Sequence, residues 1–168
     1  MYEFSVPVLV KALGGLKNIL EKAQAAGVDE SVLMADALAP DMFPFTRQVQ
    51  IACDNAKGAV ARLSGQEIPV YEDTEATLAE LIARVEKTLA YVQGFTEADF
   101  AGAEERQVTL PYFPGTYMTG YDYLREYVLP NFFFHVTTSY ALIRKHGIAI
   151  GKGDYLTGLP LKPQDTTA

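Results

Sequence analysis

Tryptophan is absent from this sequence of 168 residues, cysteine occurs once and histidine twice. The single cysteine, Cys53, excludes an internal disulfide and suits a reducing cytoplasm. Basic residues are few: 14 Lys and Arg stand against 21 Asp and Glu, for a formal charge of −7 and a pI of about 4.8. No cluster of Lys or Arg could track phosphates, so nucleic acid is not expected as a partner. No apolar stretch approaches the ~20 residues that cross a bilayer, so no membrane partner is expected either. The N-terminus lacks the basic, apolar and small-residue succession of a signal peptide, and a cytoplasmic protein is expected. What is plentiful is apolar surface, at 49% of residues, which excludes a disordered chain. The length fits a single domain, residues 1–168, with a sizeable core.

Four segments repeat apolar residues at helical spacing. From Val6 to Ala26, Leu9, Leu13, Leu16 and Leu20 make one stripe. Ser5 is placed to cap this helix, Pro7 fits its first turn and Gly27 ends it. Gly14 and Gly15 weaken its middle by up to ~1 kcal/mol each relative to Ala, which marks them for close helix packing. Residues 28–43 read as a link. The second helix starts at Pro44 and runs to about Leu63. At 100° per residue it sets Phe45, Val49, Ala52, Ala56, Val60 and Leu63 on one face, with Asp54, Arg47 and Gly58 opposite and Gly65 as its stop. The third runs from about Thr74 to Gln93, striped by Leu78, Leu81, Ile82, Val85, Leu89 and Val92. Asp73 or Thr74 caps it and Gly94 ends it.

Residues 95–118 break the period. "TEAD" at 96–99 starts a short helical turn. "RQVTLPYFPGTYMTG" reads as a short two-stranded ribbon or extended loop, because Pro111 and Pro114 forbid a central strand. The fourth helix spans about Thr119 to Gly147. Pro130 lies inside it, removes one hydrogen bond and crowds the Glu126 carbonyl, so a kink or break is expected there. The tail from about residue 151 reads as a loop that frays at its end. Four amphipathic helices without repeats point to an all-α four-helix bundle, with a short ribbon or extended loop before the last helix.

Both histidines lie in "NFFFHVTTSYALIRKHG", residues 131–147. On the helical wheel Thr137, Arg144 and Lys145 mark the wet side. Phe132, His135, Val136, Ser139 and Ile143 mark the inner one, with Asn131 and Leu142 at its edge. His135 therefore faces inward, one turn from Asn131 and one from Ser139. A buried polar group left unpaired costs ~1–3 kcal/mol, so this stripe is either a hydrogen-bonded network or the wall of a small pocket. His135 reads as a packed histidine held by a neighbour, or as part of a metal or catalytic site. His146 cannot join it from the same helix, being ~16 Å further along the axis. It suits the last turn, where a cation meets the helix dipole. Tyr112, Phe113, Tyr117, Tyr121, Tyr123 and Tyr127 crowd the ribbon and the start of the fourth helix. They read either as a plug for one end of the bundle or as the rim of a pocket or subunit interface.

The stretches "APDMFPFTRQVQIACDNAKGAVARLSG" and "LPNFFFHVTTSYALIRKHG" carry a resemblance. Through them the whole chain resembles a bacterial domain-of-unknown-function family in the DinB/YfiT-like superfamily of four-helix bundles. Metal-holding members of that superfamily use three histidines, one on the second helix and two, four residues apart, on the fourth. The latter often read H-x-x-x-H-R-G-Q, followed by L-R-x-x-G. By this resemblance His135 matches the second of the pair and Asn131 stands at the first. Val136, Thr137 and Thr138 replace R-G-Q, while Arg144 and Gly147 fall at the closing Arg and Gly. The second helix has no histidine. Of its inward residues Val49, Ala52, Cys53 and Ala56, only Cys53 could bind a metal, and an Asn amide is a poor zinc ligand. The metal site is therefore expected to be degenerate and no cofactor is expected. Any divalent metal would look first to His135 and Cys53. Cys53 otherwise reads as a small core residue.

Three functions stay open. One is a cytoplasmic small-molecule-binding bundle with Asn131, His135, Ser139, Cys53 and Tyr127 as pocket candidates. Another is a non-enzymatic protein that self-associates as a homodimer. The third, implied by the resemblance, is a metal- or thiol-dependent transferase or isomerase.

Overall fold

The structure is a computed structural model and describes residues 1–164. Helix α1 spans Tyr2–Ala25, and the expected leucine stripe lies wholly in the core. It starts earlier than its sequence suggested. Ser5 is no cap: its hydroxyl is buried in the second turn and donates to the Met1 carbonyl at 2.9 Å and the Tyr2 carbonyl at 3.2 Å. Pro7 accordingly sits inside the helix. The extra turn has a tertiary cause, since the Tyr2 ring packs edge-on against Phe100, with centroids 5.8 Å apart.

The stretch read as a link holds a short helix, α2 (Glu30–Ala35), capped by the Asp29 carboxylate and burying Leu33 and Met34. Six residues are too few to show a period. Helix α3 (Phe45–Ser64) begins after Pro44 and stops at Gly65, which takes the left-handed conformation that favours glycine. Its apolar face is buried as expected, but the opposite side is not wet. Gln48, Gln50, Lys57 and Gly58 are buried too, and Asp54 pairs with Arg84 and Lys57 at 2.9 Å each. An extended strap, residues 66–77, covers that side before α4 (Leu78–Gln93) begins. The cap of α4 is Thr77, in a reciprocal capping box with Glu80, and neither Asp73 nor Thr74. Asp73 is drawn to Arg47 and Arg84 instead.

A 3-10 turn at Glu97–Phe100 matches the expectation for "TEAD". Strands β1 (Gln107–Val108) and β2 (Met118–Thr119) then pair antiparallel, with both prolines in the loop between them. The last long helix opens as α5 (Gly120–Asp122), widens into a π-helical turn (Tyr123–Val128) and continues as α6 (Leu129–Lys145). The disruption expected at Pro130 is thus a change of pitch rather than a break. The Leu129 N–H donates to the Leu124 carbonyl, five residues back. Pro130 then falls in the first turn of α6, directly after the π-helical turn, whose wider pitch accommodates its missing N–H.

The tail is not wholly a loop. Residues Lys152–Leu156 form α7, packed on α1, where Asn18 donates to the Asp154 carbonyl at 2.9 Å and Lys22 pairs with the Asp154 carboxylate. The expected fraying at the extreme end lies outside the described residues. Helix α1 packs on α4 and α6, and α3 on α4 and α6, which makes the expected four-helix bundle around one contiguous apolar cluster. No helix among the described residues is long and apolar enough to cross a membrane.

The two adjacent glycines of α1 differ. A Cβ on Gly15 would lie 2.2 Å from the Tyr155 carbonyl oxygen, whereas one on Gly14 would meet nothing within 4 Å. Gly14→Ala should therefore raise stability by up to ~1 kcal/mol through helix propensity. Gly15→Ala should lower it by ~1–3 kcal/mol by pushing α7 away. Chemical denaturation of the two variants checks this.

Candidate functional site

The partner of His135 is a residue that sequence reasoning passed over. Gln48 of α3 is buried, and its Oε1 lies 2.7 Å from His135 Nδ1. Its Nε2 donates to the Phe43 carbonyl at 2.9 Å. That second bond turns the oxygen of the amide toward the ring, so Nδ1 carries the hydrogen. Gln48 stands one turn before Ala52, at the border of the apolar arc of α3, and a polar residue in that position was the available signal. Burial, reinforced by the positive charge of Arg47, pulls the His135 pKa down to about 4. The neighbours proposed from the wheel do not bond the ring. Ser139 is buried but donates to the His135 backbone carbonyl at 2.9 Å. Asn131 lies a turn away, in a different environment.

Cys53 is fully buried, and burial pushes its thiol up to about 12 although Thr88 and Arg84 of α4 oppose the shift. A thiol so held is protonated at neutral pH and is neither a nucleophile nor a ready metal ligand. The groups nearest the superfamily's metal position are an imidazole tied to an amide, with Asn131 one turn off. No group of three or more His, Cys, Asp or Glu side chains that could hold a metal is found among the described residues. This donor set does not fit a zinc ion.

Asn131 and Tyr127 do come together. They line a cleft of about 130 Å³ between α3, the Leu110–Tyr112 segment and the π-helical turn. Tyr123 forms its floor, almost fully buried and stacked on Tyr127 at 5.8 Å and 17°. The Phe113 ring meets Tyr127 edge-on at 6.4 Å. The aromatic crowd is therefore divided: Tyr123 plugs, while Tyr112, Phe113, Tyr117 and Tyr121 are exposed, Tyr112 on the cleft wall and Phe113 and Tyr117 along the ribbon loop. From α3, Arg62 donates to the Tyr123 hydroxyl at 3.2 Å, and the cleft is also lined by Arg47, Asp54 and Asn55. Burial raises the pKa of Tyr123 although Arg62 opposes it, so the phenol stays protonated. The Asn55 Oδ1 is buried without a hydrogen-bond partner. A wider groove of about 780 Å³ along the ribbon loop shares Arg62 and Leu110 with this cleft. His135, Ser139 and Cys53 do not line the cleft.

Four long helices, a ribbon before the last and a polar cleft near its start define a helical bundle of the DinB type. The chain belongs to the family described as Domain of unknown function (DUF1993), whose model matches residues 1–156. It is similar to the crystal structure of a DinB family member protein from Shewanella denitrificans. The two share 45% identity over 97% of this chain and 95% of that one, with a TM-score of 0.91. No curated protein matches the chain.

The His135–Gln48 pair generates a pH prediction. The unfolded ring titrates near 6.5 and the folded one at about 4. Between these values the unfolded chain takes up a proton that the fold refuses. Stability is therefore complete above pH 6.5 and declines as the pH falls toward 4, by about 3 kcal/mol in all at 1.36 kcal/mol per unit. His135→Phe should cost ~1–3 kcal/mol at pH 7 by stranding the Gln48 oxygen, and should flatten this decline. Denaturation midpoints of both proteins between pH 7 and 4.5 measure it. Parallel profiles would refute a buried neutral ring.

Proposed function

We propose that the chain is a small-molecule-binding bundle whose ligand enters the cleft beside Asn131 and Tyr127, and that metal takes no part. The reading includes a cytoplasmic location, a single domain, and no nucleic acid or membrane as partner. The observation that carries it is the Asn55 Oδ1, a buried acceptor on the cleft wall with no partner in the protein. An unpaired buried polar group costs ~1–3 kcal/mol, so a donor brought through the cleft, by solvent or by a ligand that displaces solvent, would relieve that cost. Catalysis has less support. The buried thiol of Cys53 and the tethered imidazole of His135 are on neither wall, and no nucleophile sits beside a base there.

A second reading, self-association as a homodimer, is favoured by the outer face of α6. Phe134, 53% exposed, and Leu38, 45% exposed, border an apolar groove there with Phe133 and Ala141. Sedimentation velocity at micromolar concentration distinguishes a monomer from this dimer.

The absence of tryptophan supplies a direct test of binding. Tyr112 is 77% exposed at the cleft rim, so Tyr112→Trp introduces one fluorophore that reports there alone. Titration with a library of small anions, neutral molecules and cations should yield saturable quenching by some members. Asn131→Leu should weaken that quenching. Quenching by no class would overturn the reading.

The exclusion of metal is tested separately. Elemental analysis of protein purified without a histidine tag should find far less than one zinc or nickel per chain. A stoichiometric metal would overturn this part of the proposal.

A further inference from the structure

The charges around the cleft do not balance, and the imbalance has one source. Arg47 is paired with Asp73, and Asp54 with Arg84 and Lys57. Arg62 has no carboxylate within 4 Å among the described residues, and its Nη1 meets only the neutral Tyr123 hydroxyl. A guanidinium carries five N–H donors in a planar fork that suits a carboxylate. Half-buried, with most of that fork uncommitted, Arg62 gives the cleft one positive charge that the fold does not answer.

Its position is prepared by Gly58, one turn earlier. Glycine inside a helix costs about 1 kcal/mol relative to alanine, so a buried one at mid-helix needs a reason. A Cβ on Gly58 would lie 2.5 Å from Arg62 Nη1, with no atom beyond Arg62 within 4 Å. The missing side chain makes room for the guanidinium and for nothing else. Helical side chains lean toward the N-terminus, so Arg62 folds back along α3 toward the turn that carries Asn55.

Asn55 supplies the second half of the recognition. Its unpartnered Oδ1 accepts and cannot donate, so a bound molecule that answers it brings an O–H or N–H. The stacked rings of Tyr123 and Tyr127 give the cleft an aromatic wall. A cleft of about 130 Å³ encloses somewhat less than one ring, since a cavity of ~150 Å³ accommodates benzene, and the rest of a one-ring ligand extends into the neighbouring groove.

We infer that the cleft selects small monocarboxylates of one ring or less that also carry a hydroxyl or N–H donor, the carboxylate on Arg62 and the donor on Asn55. This deepens the ligand-binding reading above and rests on it. The neighbouring groove, which shares Arg62, leaves space for a substituent extending along the ribbon loop.

The test uses near-isosteric pairs in which a neutral amide replaces the carboxylate: 4-hydroxybenzoate against 4-hydroxybenzamide, and glycolate against glycolamide. Binding is followed by the side-chain amide signals of Asn55 and Asn131 in proton–nitrogen NMR spectra of the full chain. At least one acid should bind about tenfold or more tighter than its amide, the effect of one charge-assisted hydrogen-bonded pair. Arg62→Met should abolish that preference. Gly58→Ala should do the same by displacing the guanidinium, with a melting temperature equal to or above that of the parent. This separates loss of recognition from loss of fold. Acids that bind no better than their amides, or an unchanged preference in Arg62→Met, would overturn the inference while leaving the cleft a binding site for neutral ligands. A preference for tyramine, the cationic analogue, would overturn it in the same way. No binding by either acid would overturn it as well. The ligand-binding reading falls with it only if the full library of anions, neutral molecules and cations also fails.

Discussion

The buried charge of Arg84 organises one side of the bundle. Its side chain is 2% exposed, and a cation taken that far from water must be paired several times over. It holds Asp54, Asp73 and Glu75 at 2.9 Å each, and donates to the Glu72 carbonyl at 3.0 Å. Burial works against its charge, and the Glu75 hydrogen bond with the nearby carboxylates outweighs burial. Three of its partners belong to the strap between α3 and α4, so the strap cannot leave without stranding a charge in the core. Tyr71, on the same strap, lies beneath Lys57 at 4.0 Å and Lys87 at 4.1 Å, and these cations over its ring add to the clamp.

Much of the candidate site follows from that clamp. The strap carries Asp73 to Arg47, which places the guanidinium whose charge helps keep His135 neutral. Arg84 also holds Asp54, a residue of the cleft wall. Helix α3 is the spine through which these effects meet. Near its start Gln48 ties α6 to the core through His135, and near its end Arg62 bonds the Tyr123 hydroxyl. The cleft opens between those two attachments.

In the interior α3 and α6 are joined by a neutral hydrogen bond between Gln48 and His135. The polar character of the interior is kept, but it serves cohesion. Asn55, Arg62 and Asn131 line the cleft instead, beside the π-helical turn where the last helix changes pitch. A π turn commonly marks a functional site, and this one presents Tyr123 and Tyr127 to the cleft.

The sequence by itself determined the four long helices, their inner faces, the ribbon and the inward aspect of His135. Each is written in spacings of a few residues, in proline and glycine positions, or in a family likeness. Features made by short segments were harder to read. Helix α2 has six residues and α7 has five, too few for a period, and α7 depends on the space left by Gly15 of α1. Two helix starts moved from their expected caps for a tertiary reason. Packing of Tyr2 extended one helix past its apparent cap, and the hold of Arg84 on the strap delayed the start of another. Only the tertiary structure decided the partners: Gln48 for His135, 87 residues apart, Asp54 for Arg84, 30 apart, and Tyr123 for Arg62, 61 apart. Periodicity places a side chain on a face, but it holds no information about which polar group another helix will bring to meet it. That depends on how the helices cross and on which charges the core has already claimed.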